Sequence, residues 1–151
     1  LTEDSKAIRF EETGHSRTYL ILDEESSNLL GYFAVTFKEL LLIGKDISKS
    51  EVKKMDGISK ERERISAFLI GQIGKNASIE NNPLDLQKIL AEVYDVIAAA
   101  RALIGGRLVF LECENNEKLI NHYKKHGFTL IPDETSKYRT MYINIIESKL
   151  S

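Results

Sequence analysis

Asn116, Tyr123, Gly127 and Phe128 form the pattern Asn-x6-Tyr-x3-Gly-Phe directly after the apolar run at 108–111. A tyrosine phenol, with a pKa of about 10, stays protonated at working pH and can donate a proton to a reacting group. Tyr123 also shares a helix face with Leu119 and Ile120, where simple packing of an aromatic ring would account for it. Asn116 could hold a ligand through its side-chain amide, or cap a helix N-terminus together with Asn115. The two roles are compatible.

Other reactive side chains carry weaker signals. His122 and His126 stand four residues apart, a spacing that binds zinc when a third ligand is near. No glutamate follows His122 as in a metalloprotease helix, so two exposed histidines are the simpler reading and no metal is expected. Cys113 has no identifiable activating partner and reads as a buried strand thiol. Glu112 and Glu114, and Glu61 and Glu63 ahead of an earlier strand, are the carboxylates that could act as a general base. Salt bridging explains each of them equally well.

The elements that must position these groups follow from periodicity and punctuation. A weak amphipathic helix is expected over 5–12, closed by Gly14. Strands at 18–22 and 30–38, joined by the polar turn 23–28, make an antiparallel hairpin. Residues 45–64 hold seven basic and five acidic side chains. They read as a solvated loop with one helical turn at 50–55, the sharper alternative being a flap over a binding site. An apolar strand follows at 65–73, interrupted by Gly71 and bordered by Gly74, where glycine often marks a bulge or a close backbone approach.

A polar loop at 74–83 then leads to a long helix at 84–103. Leu86, Ile89, Leu90, Val93, Ile97, Ala100 and Leu103 lie at helical spacing, and Gly105-Gly106 ends the helix. A strand at 107–113, a helix at 116–126 and strands at 128–131 and 138–146 complete the chain. Strand–helix–strand order in this half implies a crossover and at least one parallel pair.

With 151 residues, the chain has the length of one domain and enough to bury a core without metals or disulfides. Its net charge of −2 gives no global attraction to nucleic acid or anionic membrane. One cysteine excludes an internal disulfide, and no apolar run is long enough for a bilayer span, so a cytoplasmic location is expected. The first residue is Leu rather than Met, which suggests a lost start.

The Asn116–Phe128 pattern and the element order over 15–147 resemble the Gcn5-related N-acetyltransferase (GNAT) family. Thr18-Tyr19-Leu20 and Gly31-Tyr32-Phe33 look like its second and third strands, and Leu69, Ile70, Gly71, Gln72 and Ile73 like its fourth. The resemblance implies an α/β (α+β) fold, a single domain over 1–151 with a mixed, mostly antiparallel twisted sheet and helices on both faces. The family's first strand and helix would be reduced or missing.

It further implies acetyl transfer from acetyl-CoA to a primary amine by direct attack. Tyr123 would be the general acid for the CoA thiolate, and Asn116 would position the pantetheine arm. Backbone at Leu69, Ile70, Gly71, Gln72 and Ile73 would bind that arm as a pseudo-strand. At 81–87 this chain departs from the family's glycine-rich phosphate loop: it has no glycine there, Pro83 removes a donor, and Asp85 adds negative charge. Lys75 is the side chain that could supply part of the missing positive charge. The acceptor implied is a small-molecule or peptide amine, with no membrane partner and with tRNA entering only through a toxin-type alternative that acts on aminoacyl-tRNA. A non-catalytic module for binding or dimerisation is the other alternative, and a homodimer is left open.

Overall fold

A computed structural model describes residues 16–133 and 137–146 in full and residues 5–10 by their backbone. The elements are β1 (Ser5–Phe10), β2 (Arg17–Asp23), β3 (Leu29–Leu41), α1 (Lys49–Asp56), β4 (Arg64–Lys75), α2 (Leu86–Ile104), β5 (Leu108–Glu114), α3 (Glu117–Lys125), β6 (Thr129–Leu130) and β7 (Tyr138–Asn144). They fall into two compact units. One comprises the described residues up to 36 together with 70–104, the other 37–69 with 105–146. β3 and β4 contribute a segment to each.

In the first unit the strand order is β1-β2-β3-β4. β1 pairs antiparallel with β2 from Ser5 opposite Asp23 to Phe10 opposite Thr18. The helix expected at 5–12 is therefore a strand, and an N-terminal strand is present where the resemblance implied a reduced or missing one. Ile8 and Phe10 alternate with Ala7 and Arg9, and pairing with β2 selects the two-residue period over the helical one. Gly14 lies outside the described residues.

The hairpin β2–β3 matches expectation, with Tyr19 opposite Phe33 and their rings stacked at 5.0 Å. Its turn is held by the Asp23 carboxylate, which accepts from the backbone N–H of Glu25 at 2.9 Å and Ser26 at 3.2 Å. α2 buries Ile89, Leu90, Val93 and Ile97, as its spacing requires, but Leu103 is 87% exposed because the last turn runs past the core.

Strand order in the second unit is β3-β4-β5-β7-β6, with the β5–β7 and β6–β7 pairs antiparallel. One face of β5 and β7 carries Leu108, Phe110 and Tyr142, packed in a core with Val52 and Met55 of α1. The opposite face carries Val109, Leu111 and Cys113, whose register partners are Ile143, Met141 and Arg139. α3 belongs to this second face, since a Cβ on Gly127 would lie 3.1 Å from Cδ1 of Ile143. Helices thus cover both faces of this unit.

The segment at 45–64 is more ordered than a solvated loop. Ser48 Oγ caps α1 by accepting from Glu51 N–H at 3.2 Å, and the helix ends at Gly57 with φ 89°. Only Val52 and Met55 are apolar and buried, too few to announce two helical turns against the surrounding charge. Glu51 accepts from the Tyr142 hydroxyl, and Lys54 C=O accepts from Asn144 Nδ2 at 3.0 Å. These ties to β7 oppose the reading of the segment as a moving flap. Among the described residues no helix is long and apolar enough to cross a membrane.

Candidate functional site

The Tyr-x3-Gly-Phe spacing is first of all a helix ending. Gly127 N–H donates to Lys124 C=O at 3.0 Å and Phe128 N–H to Tyr123 C=O at 3.2 Å. Gly127 sits at φ 93°, in the left-handed region. This is a Schellman motif, and its usual hydrophobic contact is made by the rings of Tyr123 and Phe128, edge to face at 5.9 Å. At the other end Asn116 is the N-cap, its Oδ1 accepting from Leu119 N–H at 3.1 Å. The capping role open to Asn116 is therefore filled by Oδ1.

Tyr123 is half-buried on the inner side of α3. Burial pushes its phenol above the usual tyrosine value, and the neighbouring Cys113 sulfur adds to the rise. The phenol therefore holds its proton at neutral pH, the state a general acid requires. Cys113 is buried, and burial holds its thiol up while Arg139 pulls it the other way. A protonated, buried thiol is a poor nucleophile, as expected.

Around α3 the remaining candidates are ordinary. His126 Nδ1 lies 3.0 Å from His122 C=O, and the two rings meet edge to face at 5.1 Å. Among the described residues no group of three metal-ligating side chains exists. Glu112 and Glu114 are exposed, on the strand face opposite Cys113. An open depression of about 1150 Å³ runs along the outer side of α3 past Asn116, His122 and Lys125, and Tyr123 is not part of its lining.

The fourth-strand candidates divide between the units. Leu69, in the second, is half-buried against the α1 core. In the first, Ile70 is buried, Ile73 half-buried, and Gly71, Gln72 and Lys75 exposed. A Cβ on Gly71 would meet nothing within 4 Å. Gly71 and Gln72 border a depression of about 320 Å³ shared with Ser16, Thr18, Ala34 and Thr36. Gly74 differs: a Cβ there would lie 2.2 Å from Cε1 of Tyr32, so the Tyr32 ring requires the bare backbone. The two glycines of β4 thus have different causes, open space at Gly71 and close contact at Gly74.

The loop into α2 is a network of asparagine contacts. Asn82 Nδ2 donates to Leu30 C=O at 2.8 Å, and its Oδ1 accepts from Leu84 N–H at 3.0 Å. Asp85 is the residue that caps α2, its Oδ1 accepting from Lys88 N–H at 2.9 Å. The donors that a helix N-terminus offers to a phosphate are partly taken by this carboxylate.

No family model and no curated protein matches this sequence. Solved structures do. AtaT complexed with acetyl-methionyl-tRNAfMet matches at TM-score 0.67 and 20% identity, over 89% of this chain and 74% of that one. A tyrosine-to-phenylalanine mutant of KacT matches at TM-score 0.67 and 22% identity, over 90% and 76%. AtaTR bound with acetyl-CoA matches at TM-score 0.60 and 18% identity, over 89% and 71%.

The fold is that of the GNAT acetyltransferases. Within it, the strand and helix that carry the GNAT pattern are β5 and α3, where the spacing placed them. Sequence reasoning missed Arg139, a charge 8% exposed in the middle of the second unit. The signal was there in strand parity, because Arg139 alternates with Met141 and Ile143, both inward.

Proposed function

We propose that this chain is an N-acetyltransferase that moves an acetyl group from acetyl-CoA to a primary amine by direct attack in a ternary complex. The observation that carries this reading is the GNAT fold, shared with a structure bound to acetyl-CoA. The neutral amine attacks the thioester carbonyl, a tetrahedral intermediate forms, and the C–S bond breaks. Tyr123 gives its phenolic proton to the departing thiolate, and the amine's proton passes to a base or to water. Support for Tyr123 comes from its half-buried phenol, which burial keeps protonated.

Asn116 positions the pantetheine arm through Nδ2 while Oδ1 caps α3. Backbone of Leu69, Ile70, Gly71, Gln72 and Ile73 offers a strand edge to pantetheine amides, for which the open space over Gly71 is favourable. Lys75, exposed at the end of β4, supplies positive charge for the phosphates that the Asp85-capped helix end serves poorly. The test is acetyl-CoA binding by calorimetry and thermal shift, followed by acetyl transfer to a panel of amines. Absence of any binding would leave a non-catalytic GNAT-like module.

A second reading makes the acceptor the amine of an aminoacyl-tRNA. It is favoured by the AtaT structure, which contains an acetylated aminoacyl-tRNA. In the segment at 45–64, Lys45, Lys49, Arg62 and Arg64 are paired with Asp133, Glu61, Asp56 and Glu39, which lowers the net positive charge that segment offers to such a partner. Transfer of labelled acetyl to charged tRNA, with growth arrest on expression, checks this reading; acetylation of small amines alone would reject it.

A further inference from the structure

The depression beside Gly71 is built by three neighbouring strands of the first unit, and among the described residues its lining holds no ionisable group. β2 supplies the Thr18 hydroxyl and, just ahead of the strand, that of Ser16; β3 supplies Thr36 and β4 the Gln72 amide. Thr18 lies opposite Ala34, so the two share a sheet face, and strand parity places Thr36 and Tyr32 on it as well. The other face carries Ile21 and Phe33, both fully buried, and there a Cβ on Gly31 would lie 2.5 Å from Cδ2 of Leu84.

Each hydroxyl and the amide can both donate and accept, while Ala34 and Gly71 keep the floor of the depression low. An ionised group entering it would lose water without gaining a counter-charge, which is costly. Arg17 falls on the opposite side of β2 by the same parity. The chemistry that fits is neutral and rich in hydroxyls. A volume of about 320 Å³ is room for about ten waters at liquid density, or for one six-membered sugar ring with its hydroxyls.

Tyr32 adds an apolar wall on the same face. A Cβ on Gly74 would lie 2.2 Å from its Cε1, and the residue stays 37% exposed. It stands two residues from Ala34, about 7 Å along the strand. The C–H face of a sugar ring packs on such an aromatic surface while its hydroxyls reach the polar side chains.

We propose that this depression binds a neutral sugar ring, and that in acetyl transfer the ring belongs to the acceptor, its amine carried on the ring or on a group esterified to it. The second clause rests on the acetyltransferase reading. Gly71 and Gln72 belong both to the lining and to the strand edge offered to pantetheine, which puts the ring beside the thioester arm. The amine nitrogen bonds to the acetyl carbon and the C–S bond breaks. The amine's proton goes to a base or to water, and the departing thiolate takes up a proton.

Glucose, which has the ring and no amine, tests the site apart from the reaction. Titrated at millimolar concentrations into the ¹⁵N-labelled full chain without acetyl-CoA, it is expected to shift the backbone amide signals of Thr18, Thr36 and Gly71 to saturation. Cyclohexylamine at the same concentrations is expected to leave them in place. Thr18→Val keeps the shape and loses the hydroxyl, and is expected to weaken glucose binding about five-fold, the scale of one hydrogen bond. Unshifted signals, equal shifts from cyclohexylamine, or a folded Thr18→Val that binds glucose like the parent overturns the proposal. Should that variant fail to fold, Gln72→Ala, at an exposed position, carries the same titration.

Labelled acetyl-CoA then separates the sources of the ring and the two failures. Transfer to glucosamine makes it the ring of a free amino sugar, and transfer to charged tRNA alone makes it the terminal ribose; either supports the proposal. Glucose binding without transfer to any amine keeps the sugar site and rejects the acetyltransferase reading. Transfer to glucosamine and cyclohexylamine with equal kcat/KM keeps that reading and overturns the part of the ring in acceptor recognition.

Discussion

Phe128 donates its backbone N–H to the carbonyl of Tyr123 at 3.2 Å, and the two rings meet edge to face at 5.9 Å. Main chain and side chain of Tyr123 are thereby held by one neighbour. For Tyr123→Phe the ring contact survives and only the hydroxyl is lost. Thermal stability should change little while kcat falls by about 10²–10⁴, the usual range for a general acid. Steady-state kinetics beside a melting curve checks this, and unchanged turnover would remove Tyr123 from the mechanism.

Gly127→Ala attacks the same helix ending from the backbone. Its φ of 93° and a Cβ contact of 3.1 Å to Ile143 both oppose a side chain. The left-handed conformation alone should cost about 1–2 kcal/mol. Chemical denaturation should show that loss as a lower midpoint with the same slope.

Asn116 separates capping from ligand binding. Asn116→Ala should lose about 1 kcal/mol of stability through the missing cap. Asn116→Asp restores an oxygen acceptor at that position and should recover the stability, but it removes the Nδ2 donor. A raised KM for acetyl-CoA in both variants supports the binding role. Recovery of KM in the aspartate variant would reduce Asn116 to a cap.

What could be read from the amino acids alone follows the same division between local and tertiary causes. β5 and α3 were legible because an apolar run, an asparagine cap and a glycine stop are all local signals. α1 was only partly so: Val52 and Met55 are its two buried apolar residues, and its stability comes from packing on Leu108, Phe110 and Tyr142. The strand at Ser5–Phe10 was misread as a helix because six residues cannot distinguish the two periods without the partner strand. Arg139 shows the site-level limit. Its parity pointed inward, but that it lies opposite Cys113 depends on the β5–β7 register.

Asp85 tests the phosphate end of the cofactor site. Asp85→Asn keeps an equally good N-cap and removes one negative charge at the start of α2. The melting temperature should hold within a few degrees, and acetyl-CoA should bind several-fold more tightly, as removing repulsion near a helix N-terminus predicts. Calorimetry at low and moderate salt measures it. Unchanged affinity would place the phosphates elsewhere.

Tyr94 offers a pH test independent of catalysis. Its hydroxyl is buried without a hydrogen-bond partner among the described residues, and burial pushes its pKa up to about 12. The folded value is raised, so the unfolded chain loses the phenolic proton first as pH climbs. Stability tied to this group is whole below pH about 10 and declines from there to about 12. Unfolding curves across that window should show a decline that is smaller in Tyr94→Phe.

Because the glycine stop, the Phe128 amide and the Tyr123 carbonyl belong to one hydrogen-bonded ending, an insertion or deletion between Tyr123 and Phe128 would undo the helix terminus and the ring contact together. Relatives of this chain that drift apart elsewhere should keep that interval unchanged, including those whose catalysis has decayed. The interval is therefore a requirement of the helix ending, and a tyrosine found at its head in another sequence is evidence of that ending before it is evidence of an acetyl group transferred.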